Sequence, residues 1–206
     1  MKIVLMTSRS GSSLVCRILA AHGLSWQDGT RDPSQGGGKD AAGYRTFEHP
    51  GWKQTLKKTA PNEKWPLGYL VPVTDERLAI VQQYYEKGAN AQVDFVKAGV
   101  EFAGLWMALS DALDLDIRFI KVRRPVPQIA ASIARRGIGD ATLAAEVARR
   151  RFGLMDSIPG PDVQAHTLVS RGLWRMSGIR EALIECGVKP DHMLIRQQIE
   201  PGKFHE

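Results

Sequence analysis

Residues 2–15, KIVLMTSRSGSSLV, decide how the chain is read. Lys2 to Met6 is a short apolar run, and the polar turn TSRSGSS follows at once. Leu14, Ile18 and Leu19 then recur at helical spacing until Gly23. That order predicts strand, tight loop, helix. Small residues in the loop let backbone approach an anion closely. The N–H groups of the loop and first helical turn, with the positive helix end, then form a phosphate cradle.

The same alternation continues outward from this unit. VDFVK (93–97) and IRFIKV (117–122) read as two further core strands, each followed by residues at helical spacing. Phe102, Trp106, Leu109 and Leu113 mark one helix, Ile129 and Ile133 the next, and residues 141–155 another. Leu78, Val81, Gln82 and Tyr85 suggest a short helix; Met176, Ile179, Leu183 and Cys186 form a stripe closed by Gly187. Residues 193–195 are expected to be a last strand. The pattern predicts an α/β fold, a three-layer sandwich with a mostly parallel central sheet. Ligands in such sheets bind beyond the carboxyl ends of the strands. No internal repeat or linker divides the chain, so residues 1–206 are read as one domain. Its exception is a glycine-rich stretch without apolar periodicity, expected to be a flexible substrate-side loop of about 27–50.

Composition sets the limits. At 206 residues, 43% hydrophobic and 24% charged, the chain matches an ordinary globular domain, which excludes collagen-like or wholly disordered classes. Two cysteines, Cys16 and Cys186, suggest no disulfide framework. The N-terminal apolar run is far shorter than a signal-peptide core or a membrane span, so a cytoplasmic protein without membrane contact is expected. The net charge is +6, and residues 118–151 hold nine basic residues against Asp140 and Glu146, a local +7. So concentrated a charge suits an anion site, although Arg149, Arg150 and Arg151 read most simply as a solvated helix face.

The loop partly fits the nucleoside-triphosphate pattern G-x-x-x-x-G-K-[ST]: Gly11 and Ser13 match, while Met6 and Ser12 replace the first Gly and the Lys. Arg9 supplies a cation inside the loop. Residues 8–15, SRSGSSLV, resemble the 5′-phosphosulfate loop of sulfotransferases, P-[RK]-S-G-[ST]-[ST], with Ser8 in place of Pro. The resemblance implies a P-loop nucleotide-hydrolase-like fold and 3′-phosphoadenosine 5′-phosphosulfate as donor. Ser10, Gly11, Ser12 and Ser13 would hold its 5′-phosphate, and Arg9 would bridge phosphate and sulfonate. The product would be adenosine 3′,5′-bisphosphate.

IRFIKV ends in Arg123-Arg124, and VDFVK ends in Lys97, where related kinases keep a metal-holding Asp. Cations there repel a metal and attract phosphate, so no metal is expected. IRFIKVRRPVPQIAASIARR also resembles the second sulfotransferase signature, strand, R-[DN]-P, then a helix carrying Ser. That implies 3′-phosphate binding by Arg124 with Ser132, eight residues apart. Arg123, which has Pro125 at the family's spacing, is the substitute.

An acceptor hydroxyl must lose its proton as it attacks sulfur. A carboxylate or imidazole within reach serves as base. GYRTFEHP (43–50) is similar to a G-Y-[FW]-E element of some bacterial sulfotransferases, which puts Glu48 first and His49 second. His22 is expected near the end of the first helix, and Cys16 and Trp106 in the core. The expected partner is a small-molecule or glycan acceptor, with no nucleic acid. A small-molecule or nucleotide kinase and a non-catalytic polyanion- or nucleotide-binding protein are the alternatives.

Overall fold

Lys2–Met6 forms β1, buried through Ile3, Val4 and Leu5. It is hydrogen-bonded in parallel along both edges, to β2 (Phe95–Gly99) and to β3 (Arg118–Arg123). A short β4 (Asp162–Gln164) adds to β3. In this computed structural model, residues 1–7, 10–26, 47–60, 69–88, 91–137, 139–170 and 177–199 are described. The four strands make an all-parallel sheet in the order β2-β1-β3-β4.

Helices flank the sheet. The first is α1 (Ser12–Ala21), followed by α2 (Pro50–Thr59) and α3 (Asp75–Tyr85). After β2 a 3₁₀ turn (Val100–Phe102) enters α4 (Ala103–Leu113); after β3 come α5 (Val126–Arg136) and α6 (Ala141–Asp156). Beyond β4 lie α7 (Ala165–Val169), α8 (Ile179–Glu185) and α9 (His192–Gln198). Alternate strand residues feed two cores. Val4, Phe95, Ile120 and Val122 pack with α1, α7, α8 and α9. Ile3, Leu5, Val96, Ala98 and Phe119 pack with α2, α4 and Met155 of α6. Burial on both faces is why these strands read as continuous apolar runs. Within the second core the Trp52 and Trp106 rings meet at 4.4 Å, and the Trp52 indole donates to the Ala91 carbonyl at 3.0 Å.

Three elements depart from the sequence expectation. Residues 193–195 belong to helix α9, not to a strand. Asp191 caps it, its carboxylate accepting from the Met193 and Leu194 N–H groups at 2.7 and 3.2 Å, and only Ile195 is buried. The second strand is displaced by two residues, so Lys97 stands at its middle, opposite Val4, rather than at its end. Helix α2 buries Trp52, Thr55, Leu56 and Thr59, a helical face that its two threonines make polar in sequence. Of the expected loop at 27–50, residues 27–46 lie outside the described residues, and Pro50 already opens α2. Among the described residues no helix is long and apolar enough to cross a membrane.

The strand order carries a functional consequence. From β1 the chain passes to β2 on one side; from β3 it passes to β4 on the other. The switch point therefore lies between β1 and β3, where neighbouring connections part; in open parallel sheets this is the place that takes ligands. The loop after β1 and the Arg123-Arg124 pair after β3 flank this point.

Gly160, just before β4, has φ +118°, and a Cβ there would stand 2.0 Å from the Phe119 carbonyl oxygen. Gly160→Ala is expected to cost about 2 kcal/mol or more, measured by urea unfolding, because strain and a backbone clash coincide. Cys16 is fully buried, and burial pushes its thiol up to about 12. It should stay inert to thiol reagents at pH 8 in the folded protein and react on unfolding.

Candidate functional site

The loop leaves β1 at Thr7, whose carbonyl accepts from the Ser10 N–H at 3.2 Å. Gly11 then adopts a left-handed conformation, φ 90°, as the residue preceding α1. Only glycine fits here on two counts: the positive φ, and an Ala165 Cβ that a Gly11 Cβ would approach to 2.5 Å. No side chain caps α1 and no acidic residue lies in its first turn. Among the described residues, the positive end of this ten-residue helix thus meets neither a capping side chain nor a first-turn acid, beside the switch point. Ser10 is fully buried and its Oγ has no hydrogen-bond partner. Ser12 Oγ donates to Met6 Sδ at 3.6 Å. Ser13 Oγ accepts from Lys97 Nζ at 3.1 Å, so the mid-strand lysine reaches from β2 to the first turn of α1. Ser8 and Arg9 lie outside the described residues.

The two arginines after β3 have different surroundings. Arg123 Nε donates to Asp162 at 2.6 Å, Nη2 to Asp156 at 2.7 Å and Nη1 to the Phe152 carbonyl at 3.3 Å. Its guanidinium also lies 5.6 Å from the Phe152 ring centroid. These contacts tie β3 to β4 and α6. Half-buried Arg124 donates from Nε to the neutral Gln128 amide oxygen at 3.0 Å. Ser132, which sequence also allows as an exposed residue, is buried on α5.

Glu48 and His49 sit at the entrance to α2. Lys53 Nζ donates to Glu48 Oε2 at 2.5 Å. His49 is buried and caps α2, its Nδ1 accepting the Trp52 N–H at 3.2 Å. That acceptance fixes Nδ1 as the unprotonated nitrogen. Both candidate bases therefore hold local structural contacts, one with a lysine and one with a helix end.

Sequence reasoning missed Glu101 and His166. Glu101 lies two residues beyond β2, and a Cβ on Gly99 would stand 2.5 Å from its carboxyl group. An acid is therefore present beyond a neighbouring strand, contrary to the reading that these strands end only in cations. It is paired: Arg151 Nη2 donates to Glu101 Oε1 at 2.8 Å, with both side chains largely buried. Arg151 is thus no part of a solvated face, although Arg149 and Arg150 are exposed. His166 is the second residue of α7, and burial, then the Arg124 charge, lowers its pKa below the usual histidine value. Six buried side-chain N or O atoms among the described residues have no partner: two are indole nitrogens, and the others are Ser10 Oγ, Glu101 Oε2, Arg151 Nε and His166 Nδ1. The last four belong to loop or strand-end residues and to the arginine paired there, so unmet polar capacity gathers at the carboxyl edge of the sheet.

Other expectations are placed as follows. His22 ends α1, with Nδ1 2.7 Å from the Ile18 carbonyl and Nε2 accepting the Asp191 N–H at 3.1 Å. Trp26, Trp52 and Trp106 are core residues; Trp65 and Trp174 lie outside the described residues. No group of three or more His, Cys, Asp or Glu side chains among the described residues is placed to hold a metal ion. Comparison with known protein families, curated proteins and solved structures finds no match.

Arg123→Met should lower stability by about 1 kcal/mol, because it removes charge-assisted bonds that tie β3 to β4 and α6, while Asp162 keeps Lys121 and the exposed Asp156 returns to water. Chemical denaturation measures the loss.

Proposed function

We propose that the chain is a sulfotransferase that uses 3′-phosphoadenosine 5′-phosphosulfate, built on a P-loop-type sheet. The observation that carries this reading is the switch point between β1 and β3. It has a small-residue loop and an uncapped helix end on one side and Arg124 on the other. Two separated positive features suit a nucleotide with phosphates at both ends. In this reading the backbone N–H groups of Gly11, Ser12 and Ser13 hold the 5′-phosphate, and Ser10, whose N–H is given to Thr7, adds its unpartnered Oγ. Arg9 stabilises charge on the bridging oxygen, and Arg124 with buried Ser132 holds the 3′-phosphate. Lys97, linked to Ser13, adds a second cation beside the loop. Glu48 is the proposed base, which requires it to exchange Lys53 for the acceptor hydroxyl; His49, with its unprotonated Nδ1 committed to α2, is the weaker choice. Transfer proceeds in line, the acceptor oxygen bonding to sulfur as the bridging oxygen leaves with adenosine 3′,5′-bisphosphate. The acceptor is a hydroxyl- or amine-bearing small molecule or glycan.

Glu101 gives the kinase reading one observation in its favour, an acid beyond the strand next to β1. Its Arg151 partner weighs against that reading, because a guanidinium at 2.8 Å repels a divalent cation. The polyanion-binding reading loses force on the same kind of count. Arg118 pairs with Asp116 and Glu185, Lys121 with Asp162, Arg123 with Asp156 and Asp162, Arg150 with Glu146, and Arg151 with Glu101. Much of the positive window is thus answered by acids, several from distant sequence, rather than spread as a basic face.

Titration calorimetry tests the reading. Adenosine 3′,5′-bisphosphate should bind in the micromolar range or tighter without metal, and ATP with Mg²⁺ should not compete. The reverse preference would establish a kinase instead. Arg124→Ala should weaken bisphosphate binding by roughly 10–100-fold, the range of a lost charge-assisted contact. Arg9→Ala should abolish transfer with the fold intact by circular dichroism.

A further inference from the structure

Residues 69–74, YLVPVT, lead into α3 without regular secondary structure. Three bonds pin them. The Val71 N–H donates to the Glu101 carbonyl at 2.7 Å, the Pro72 carbonyl accepts from Arg77 Nη1 at 3.0 Å, and Thr74 Oγ1 caps α3 by accepting the Arg77 N–H at 3.3 Å. Val71 is the one buried side chain of the six. Tyr69, Leu70 and Val73 are 56%, 42% and 47% exposed. The segment is a strap held in place with apolar groups left in water.

Its place is the carboxyl edge of the sheet. Glu101 lies in the 3₁₀ turn directly after β2, and β2 ends at Gly99, opposite Met6, from which the candidate loop departs. In the first turn of α4, a Cβ on Gly104 would stand 3.2 Å from Val73 Cγ2, so glycine there lets the strap lie flush on the helix. Met107, one turn on from Gly104, is 46% exposed. At the strap's other end the Arg150 guanidinium of α6 lies 5.8 Å from the Tyr69 ring centroid. Tyr69, Leu70, Val73 and Met107 thus line one apolar surface between α6 and α4, beyond the end of β2.

Four side chains so exposed present on the order of 400 Å², the size of functional patches on monomeric proteins. A stable dimer needs about 800 Å² from each partner, so the surface is too small to seat a second copy by itself. The Tyr69 hydroxyl is its only side-chain hydrogen-bonding group. A sugar laid there would give up water for few new bonds, whereas an aromatic or aliphatic body fits.

We propose that this surface holds the body of the acceptor, and that the acceptor is an apolar molecule carrying the reacting hydroxyl, a phenol or hydrophobic alcohol rather than a glycan. The inference rests on the sulfotransferase reading for the role of acceptor; the ligand class follows from the strap.

The test is equilibrium dialysis of the full chain against 2-naphthol, with glucose as competitor. Wild type should bind the naphthol, and glucose should not displace it. Leu70→Asp and Met107→Glu, both at exposed positions, should each weaken binding about tenfold, because a charge replaces an apolar contact. Ile184→Asp, also exposed but on α8 against the opposite face of the sheet, should leave it unchanged. Two strap-side variants cover the case in which one folds poorly. Unchanged binding in both, or displacement by glucose, would overturn the proposal and leave the nucleotide reading untouched. A wild-type dimer in sedimentation that Leu70→Asp dissolves would do the same, since the occupant would then be a second copy. Separate titration with adenosine 3′,5′-bisphosphate distinguishes the two readings. Bisphosphate binding without naphthol binding overturns the apolar acceptor alone. Naphthol binding at the strap without bisphosphate binding keeps the apolar site and ends the sulfotransferase reading. Binding of neither ends both.

Discussion

β1 is hydrogen-bonded along both edges, to β2 through Met6 opposite Gly99 and to β3 through Leu5 opposite Lys121. The rest of the carboxyl edge depends on that double pairing. It brings the end of β1 level with the ends of two strands more than 85 residues away in sequence, and it makes the β1–β3 boundary the place where the connections part. The loop after β1 gains its setting from this arrangement rather than from its own composition. A serine-rich turn capping a surface helix has the same residues; here the turn stands between an arginine-bearing strand end and a lysine reaching across from β2.

Electrostatics in this edge are in large part supporting. Arg123 and Arg151 anchor α6 at two strand ends, one through Asp156, Asp162 and the Phe152 carbonyl, the other through Glu101. Burial makes the Arg151–Glu101 pair expensive to break, since the partner left behind stays desolvated. Together the two arginines tie α6 to the carboxyl edge of the sheet. Arg124 instead bonds along its own helix entrance, to the neutral Gln128 amide. The distinction between adjacent arginines follows from strand alternation: Arg123 points with Lys121 toward the α6 side, and Arg124 begins the turn into α5.

Much of the sheet was legible in the sequence because each of β1, β2 and β3 is buried on both faces and reads as an apolar run followed by a helical period. β4 was not, since its three residues contain a single apolar side chain, Val163, and its existence depends on pairing with β3. α9 was misread because one buried residue, Ile195, gives no period, and the capping Asp191 is the only local sign of a helix. For the site, the loop residues and Arg124 were visible as residue types at strand ends. Glu101, Arg151 and His166 were not, because what singles them out is burial and a partner, or its lack, and those arise only when distant segments meet.

His22 ties the helix that begins at the loop to the last described helix of the chain. Its imidazole gives a hydrogen to the final turn of α1 and receives one from the backbone at the start of α9. With Nδ1 giving and Nε2 receiving, one tautomer of one ring serves both helices at once. The seating of α9 against the end of α1 thus turns on a single side chain, and removing it takes away both bonds together.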